Sequence, residues 1–160
     1  MADLSDANKR FAEGAKACGI EVAIHVMSES TRTAEDAANA CGCIVGRIVK
    51  SLVFQGVQSG KPYLLLVSGA NRVDEKGVTA LIGEELARPD ADFVRETTGY
   101  SIGGVPPLAH QTPLITYMDR DLLNFETVWA AAGTPRAVFE VDPARLRDAT
   151  GAEVIEVTGG

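Results

Sequence analysis

No stretch of this sequence approaches the roughly 20 consecutive apolar residues that a helix needs to cross a bilayer. The opening residues MADLSDANKR also lack the apolar core of a secretory signal. Membrane partners are therefore not expected, and a cytoplasmic location is. Basic charge is short as well: 15 Lys and Arg stand against 22 Asp and Glu, a formal net charge of −7. Such a balance opposes broad attachment to a polyphosphate, so DNA is not expected as a partner and any nucleic-acid contact must be local. Cysteine is limited to Cys18, Cys41 and Cys43. The odd count, and a CGC spacing tighter than the usual zinc pair, predict reduced, partly buried thiols rather than a metal or redox centre. Neither GxGxxG after a strand nor GxxxxGK[ST] occurs, which removes support for dinucleotide or P-loop chemistry. GxSxG is missing around Ser68 and Ser101, so no serine nucleophile is indicated. No cofactor and no metal are expected.

What the chain does have is apolar content of 46% over 160 residues, enough for one substantial core and one domain spanning residues 1–160. Ala7, Phe11, Ala15 and Cys18 recur at helical spacing, which predicts an amphipathic helix from about Ser5 to Cys18 closed by Gly19. Residues 21–26 read as a short strand, and Thr33 as the N-cap of a helix over Ala34 to Ala40. The β-branched run Ile44 to Phe54 and the run Tyr63 to Val67 read as antiparallel strands joined by the loop Gln55 to Pro62. A short helix is expected from near Asp74, a second over Ile82 to Ala87 before Pro89, and one around Asp121 to Phe125. Leu114 to Met118, Ala137 to Val141 and Glu153 to Val157 read as strands, with a helix opened by Asp142-Pro143. The irregular alternation favours a mixed-sheet α/β domain on the border of α+β.

Three features carry candidate chemistry, each beside an ordinary reading. Lys50 lies in an otherwise apolar strand. It is either an outward, solvated lysine or a point charge projected into a pocket to meet a phosphate or carboxylate. Gly99 to Pro107 packs three glycines and two prolines into nine residues. The run is either a tight turn or a stiff pocket wall whose amides could hold an ester carbonyl or a developing oxyanion. His110 follows that loop, either solvated or at the edge of a site, while His25 reads as a structural or surface histidine. Val128, Trp129 and Phe125 read as core or rim packing.

Taken together, Val49-Lys50-Ser51-Leu52-Val53-Phe54, the run Arg95 to Leu108 with its TGYSIGGVPP core, and Ala131-Ala132-Gly133-Thr134-Pro135 resemble the YbaK/prolyl-tRNA synthetase-associated family, in order and spacing. The resemblance extends from about Ile20 to Val157. It implies a mixed, mostly antiparallel sheet with barrel-like curvature surrounded by helices. It also implies a deacylase that acts in trans on mischarged tRNA, most often tRNA for proline carrying alanine, cysteine or a similarly small residue. By the same resemblance Lys50 anchors the substrate near the terminal adenosine, and Gly103 and Pro107 match the GxxxP loop that shapes the pocket. Gly104, Val105, Pro106 and His110 would border the ester. Ala132, Gly133 and Thr134 match a second bordering segment, and Ser51 would shape the amino-acid subpocket. The implied partners are the tRNA acceptor end and a prolyl-tRNA synthetase that delivers it. Two other readings stay open at this stage: a non-catalytic module that holds tRNA ends or a nucleotide, and an enzyme for a free small ester.

Overall fold

The computed structural model describes residues 4–158. Helix α1 (Asp6–Ala17) starts where Ser5 caps it: the Ser5 hydroxyl accepts from the Asn8 N–H at 3.1 Å, and the Asn8 side chain takes the Ser5 N–H in return. It ends at Cys18, and Gly19 then turns away with φ +91. Strand β1 (His25–Val26) is shorter than the strand expected over residues 21–26, because only His25 and Val26 find partners. Helix α2 (Ala34–Cys41) is capped as expected by Thr33, whose hydroxyl accepts from the Asp36 N–H.

The run expected to form one strand from Ile44 is divided. Val45–Arg47 makes a 3₁₀ turn, fixed by Ser68 Oγ on the Gly46 carbonyl at 2.7 Å, and β2 (Val49–Gly56) begins after it. Strand β3 (Pro62–Ser68) pairs antiparallel with β2, Lys50 opposite Val67 and Phe54 opposite Tyr63. Helix α3 (Glu75–Ile82) stops at Gly83, φ +94, so the helix expected over Ile82 to Ala87 does not form. Those residues instead supply β4 (Leu86–Ala87), an edge strand on Gly56 and Gln55. Helix α4 (Ala91–Thr98), to which the sequence reading gave no element, is nucleated by Asp90 accepting from the Phe93 N–H at 2.8 Å. It leads into the glycine-proline loop.

Strand β5 (Ile115–Asp119) runs parallel to β3, and a 3₁₀ segment (Arg120–Asn124) replaces the short helix expected there. Strand β6 (Val128–Ala131), read from sequence as packing only, pairs antiparallel with β7 (Ala137–Val141). Helix α5 (Pro143–Thr150) and β8 (Glu153–Ile155) complete the chain, β8 parallel to β5.

The class is mixed α/β, with antiparallel pairs outnumbering parallel ones. The strands form two sheets, β1-β7-β6 and β4-β2-β3-β5-β8, whose backbones among the described residues are bridged only at Ile48 and Trp129 and which do not close into a barrel. Leu64, Leu65, Leu66 and Val67 of β3 are all fully buried, because this central strand carries a core on each face. One core joins both sheets around Phe11, Leu64, Leu66, Met118 and Phe139, a second packs Phe54, Leu65 and Val67 under Val78 of α3, and a small third gathers Ala37, Ala38 and Ile48. Among the described residues no helix is long and apolar enough to cross a membrane.

Candidate active site

The two sheets part beyond the Ile48–Trp129 bridge, and the gap between β2 and β6 is a cavity of about 770 Å³. Register explains what it offers. The Ile48 carbonyl accepts from Gly69 and the Gly56 N–H donates to Lys61, so even-numbered β2 residues direct their backbone groups to β3. Those of Val49 and Ser51 point the other way. On that side β2 has no strand partner between the bridge and the Gln55–Ala87 pair. The cavity wraps around this open edge, which is why Lys50 and Ser51 both line it although successive side chains project to opposite faces.

Lys50 is half-buried, and its ammonium donates to the carbonyl of Asn71 in the turn after β3. That turn is held in place by carboxylates: the Asn71 amide donates to Asp119 and Asp121 at 2.8 Å each, and buried Asp119 also accepts from the Ser68 N–H. Burial, with help from Arg72 and Arg88, pushes the Lys50 pKa below the ordinary lysine value, while Glu35 and Asp119 act in the opposite sense. An ammonium with three donors and one protein acceptor keeps two for a ligand. Across from it stands the loop expected from sequence. Gly103 and Val105 line the cavity, and among the described residues neither N–H has an acceptor. Ser51 Oγ is buried in the same wall with no hydrogen-bond partner. A cation and two loop residues with unbonded N–H groups thus line one cavity, while the Ser51 Oγ is closed off from solvent within its wall.

The remaining expected site residues lie elsewhere. Gly104, Pro106 and Pro107 are buried behind the cavity wall. Gly104 abuts the Thr134 backbone so closely that a Cβ would sit 2.7 Å from the Thr134 Cα. Ala132, Gly133 and Thr134 do not border the cavity. They form the turn after β6, tied to α1 by Asn8 Nδ2 on the Ala132 carbonyl at 2.8 Å, and they brace the loop from its far side. His110 is neither solvated nor at the cavity rim. It borders a separate recess of about 290 Å³ beside Arg10 and Tyr100, where its Nε2–H donates to the Pro106 carbonyl at 2.7 Å.

Burial holds the His110 pKa below the usual 6.5, although the bond to Pro106 works against this. Because the folded pKa is depressed, the protein binds fewer protons there than the unfolded chain. Stability is therefore whole above about pH 6.5 and declines as pH falls below it. Melting temperatures between pH 7.5 and 5 should show this decline, and His110→Gln should flatten it.

The sequence reading missed several cavity residues: Arg32, whose stem covers Gly103, Glu35, Asn71, Arg72, and Trp129, against which His25 packs edge-on at 5.3 Å. No cysteine lines the cavity. All three are free, and burial raises the Cys41 pKa to about 11 and that of Cys43 in the same direction, so neither thiol is primed for attack.

A family model for the aminoacyl-tRNA editing domain matches residues 28–149, and every cavity residue falls inside that span. An uncharacterized Bacillus subtilis protein, YwhH, is 34% identical over 121 residues, 74% of this chain and 75% of the relative. The Enterococcus faecalis protein EbsC, provisionally named a Cys-tRNA(Pro)/Cys-tRNA(Cys) deacylase, is 26% identical over 132 residues, 82% of this chain and 80% of its own. Among solved structures, one provisionally named a trans-editing enzyme for prolyl-tRNA synthetase superposes with a TM-score of 0.92. It has 46% identity and covers 99% of this chain and 100% of its own.

Proposed function

Because this chain belongs to the aminoacyl-tRNA editing domain family, we propose that it is a deacylase that hydrolyses the ester of mischarged tRNA in trans, with tRNA for proline carrying alanine, cysteine or a similarly small amino acid as its substrate. The observation that carries this reading is the placement of Lys50 and the Gly103 to Val105 wall on one cavity, whose volume suits an amino acid together with a terminal nucleoside. In this reading Lys50 anchors the phosphate of the terminal nucleotide as a point charge. The Gly103 and Val105 N–H groups receive the ester oxygen as it becomes an oxyanion. An ester is already activated, so positioning and fixed donors supply the acceleration, and no protein nucleophile is needed. The attacking oxygen comes from water, which the neighbouring ribose hydroxyl helps to hold. The acyl C–O bond then breaks, the departing ribose oxygen takes up a proton, and the amino acid leaves as its carboxylate.

Small apolar walls from Val105, Ala130 and Ala131 favour a small side chain, and the unpaired Ser51 hydroxyl, buried in the β2 wall, is a polar group that a side chain pressed against that wall would meet. Ser51→Val is expected to shift the ratio of alanyl to cysteinyl and 2-aminobutyryl ester cleavage by about tenfold, the scale of one or two methyl groups in a pocket. An unchanged ratio in both Ser51→Ala and Ser51→Val would remove Ser51 from the specificity pocket.

The net charge of −7 limits recognition to the acceptor end and favours delivery of the tRNA by a prolyl-tRNA synthetase. The activity is tested by offering the protein a panel of mischarged tRNAs. Release of small noncognate residues from tRNA for proline supports the deacylase. Binding without release from any member of the panel leaves the non-catalytic module in its place.

A further inference from the structure

Three arginines are held in ion pairs among the described residues. Arg47 meets Glu140 at 3.1 Å, Arg120 meets Glu156 at 2.8 Å and Arg147 meets Asp148 at 3.1 Å. Arg32, Arg72, Arg88 and Arg95 are exposed and, among the described residues, make neither an ion pair nor a side-chain hydrogen bond; of these, Arg72 and Arg88 are the two whose charge reaches Lys50. Their positions are related through β2. Lys50, Leu52 and Phe54 project from one face of that strand, and the four steps from Lys50 to Phe54 span about 13 Å. Arg72 lines the cavity beside Lys50, and the Arg88 guanidinium lies over the Phe54 ring, 5.6 Å from its centroid. Both arginines are near enough to Lys50 to depress its pKa. The nearby carboxylates are largely engaged: Glu84 accepts from the Tyr63 hydroxyl and from Ser59, and Asp119 from Asn71 and Ser68. Glu35 is the exposed exception at the cavity.

We propose that Arg72 and Arg88 extend the anchoring of Lys50 into a cationic track along one face of β2, which carries the phosphodiester backbone of the last nucleotides of an RNA 3′ end away from the cavity. The inference rests on the deacylase reading and gives it a direction of approach. At about 13 Å the track exceeds the rise of one stacked nucleotide, about 3.4 Å per strand, and so can meet more than one phosphate. The Arg88 stack on Phe54 fixes a planar fork for one of them.

The test compares two substrates, full-length mischarged tRNA and a minimal 3′-aminoacyl-adenosine ester that has no upstream phosphates. Arg72→Ala and Arg88→Ala should each lower kcat/KM on tRNA by about tenfold, as expected for loss of a charge-assisted bond. Each should also reduce the slope of log kcat/KM against log salt by about 0.7. Arg88→Ala, which lies outside the cavity lining, should not change cleavage of the minimal ester, and Arg88→Lys should restore most of the salt slope. Equal losses by Arg88→Ala on both substrates, or no loss on tRNA by either variant, would overturn the track. If the wild-type protein cleaves neither substrate, the deacylase reading falls. Fluorescence titration of a short single-stranded RNA then decides the track alone: weaker binding by the two alanine variants upholds it, and unchanged binding refutes it.

Discussion

Lys50→Ala is expected to lower deacylation of mischarged tRNA by about 10²- to 10³-fold, the range for losing a charge that meets the reacting substrate in a desolvated site. The fold should survive. The side chain is half-buried, its one hydrogen bond goes to the Asn71 carbonyl, and burial already disfavours its charge. Removing it relieves a desolvated ammonium and leaves one exposed-side carbonyl to water, so stability should change by about 1 kcal/mol or less. Lys50→Arg keeps the charge but replaces a compact ammonium with a broad planar group, and should recover only part of the activity. Parallel measurement of kcat/KM and melting temperature separates these effects. A folded Lys50→Ala protein with near-normal turnover contradicts the assignment.

The second large effect is expected at Gly104. A Cβ there would lie 2.7 Å from the Thr134 Cα and 2.9 Å from its N and C atoms, and backbone cannot rotate out of the way as a side chain can. Gly104→Ala should therefore push the loop off the turn that braces it, costing about 1–3 kcal/mol of stability. It should also displace the Gly103 and Val105 N–H groups, with a loss of activity of about 10²-fold, as when an oxyanion donor is misplaced. Thr134→Ala makes the contrast, because the contact is with the Thr134 backbone and its side chain adds only a 3.5 Å approach from Asn8. That variant should stay close to wild type in both readouts. Gly103 is constrained differently: the atom a Cβ would meet is the flexible Arg32 stem, but its φ of +91 disfavours any side chain.

Local signals in the sequence carried much of this fold. Ser5 and Gly19 bracket α1, Thr33 opens α2, Asp142-Pro143 opens α5, and the β-branched runs around Lys50 and Tyr63 pair as read. Each of those features depends on chemistry within a few residues. The failures share the opposite property. Leu86 and Ala87 are extended because β2 offers them an edge, and β6 exists because β7 pairs with it across residues 128–141. The shortening of β1 is likewise non-local, because residues 21–24 do not take up the pairing that β7 continues with β6 as far as Val141.

The cavity was legible only as its two most distinctive pieces, the lysine strand and the glycine-proline loop. Arg32, Asn71 and Trp129 reach it from three separate segments because two sheets diverge there, which no local pattern announces. The same reason explains Ala132 to Thr134. Their glycine and small residues suit a pocket wall as well as they suit a tight turn behind one, and only the contacts to Asn8 and Gly104 distinguish the two.

The central claim is that the open edge of β2 and the Gly103 loop enclose the aminoacylated terminus. Titration of the protein with a non-hydrolysable 3′-alanylamido-adenosine, followed by backbone amide NMR, addresses it most directly. The largest shifts should fall on Ser51, Gly103 and Val105, with Gly133 and His110 little changed. Shifts centred instead on Arg10, Tyr100 and His110, or none at saturating analogue, would place the substrate outside the cavity and contradict the account.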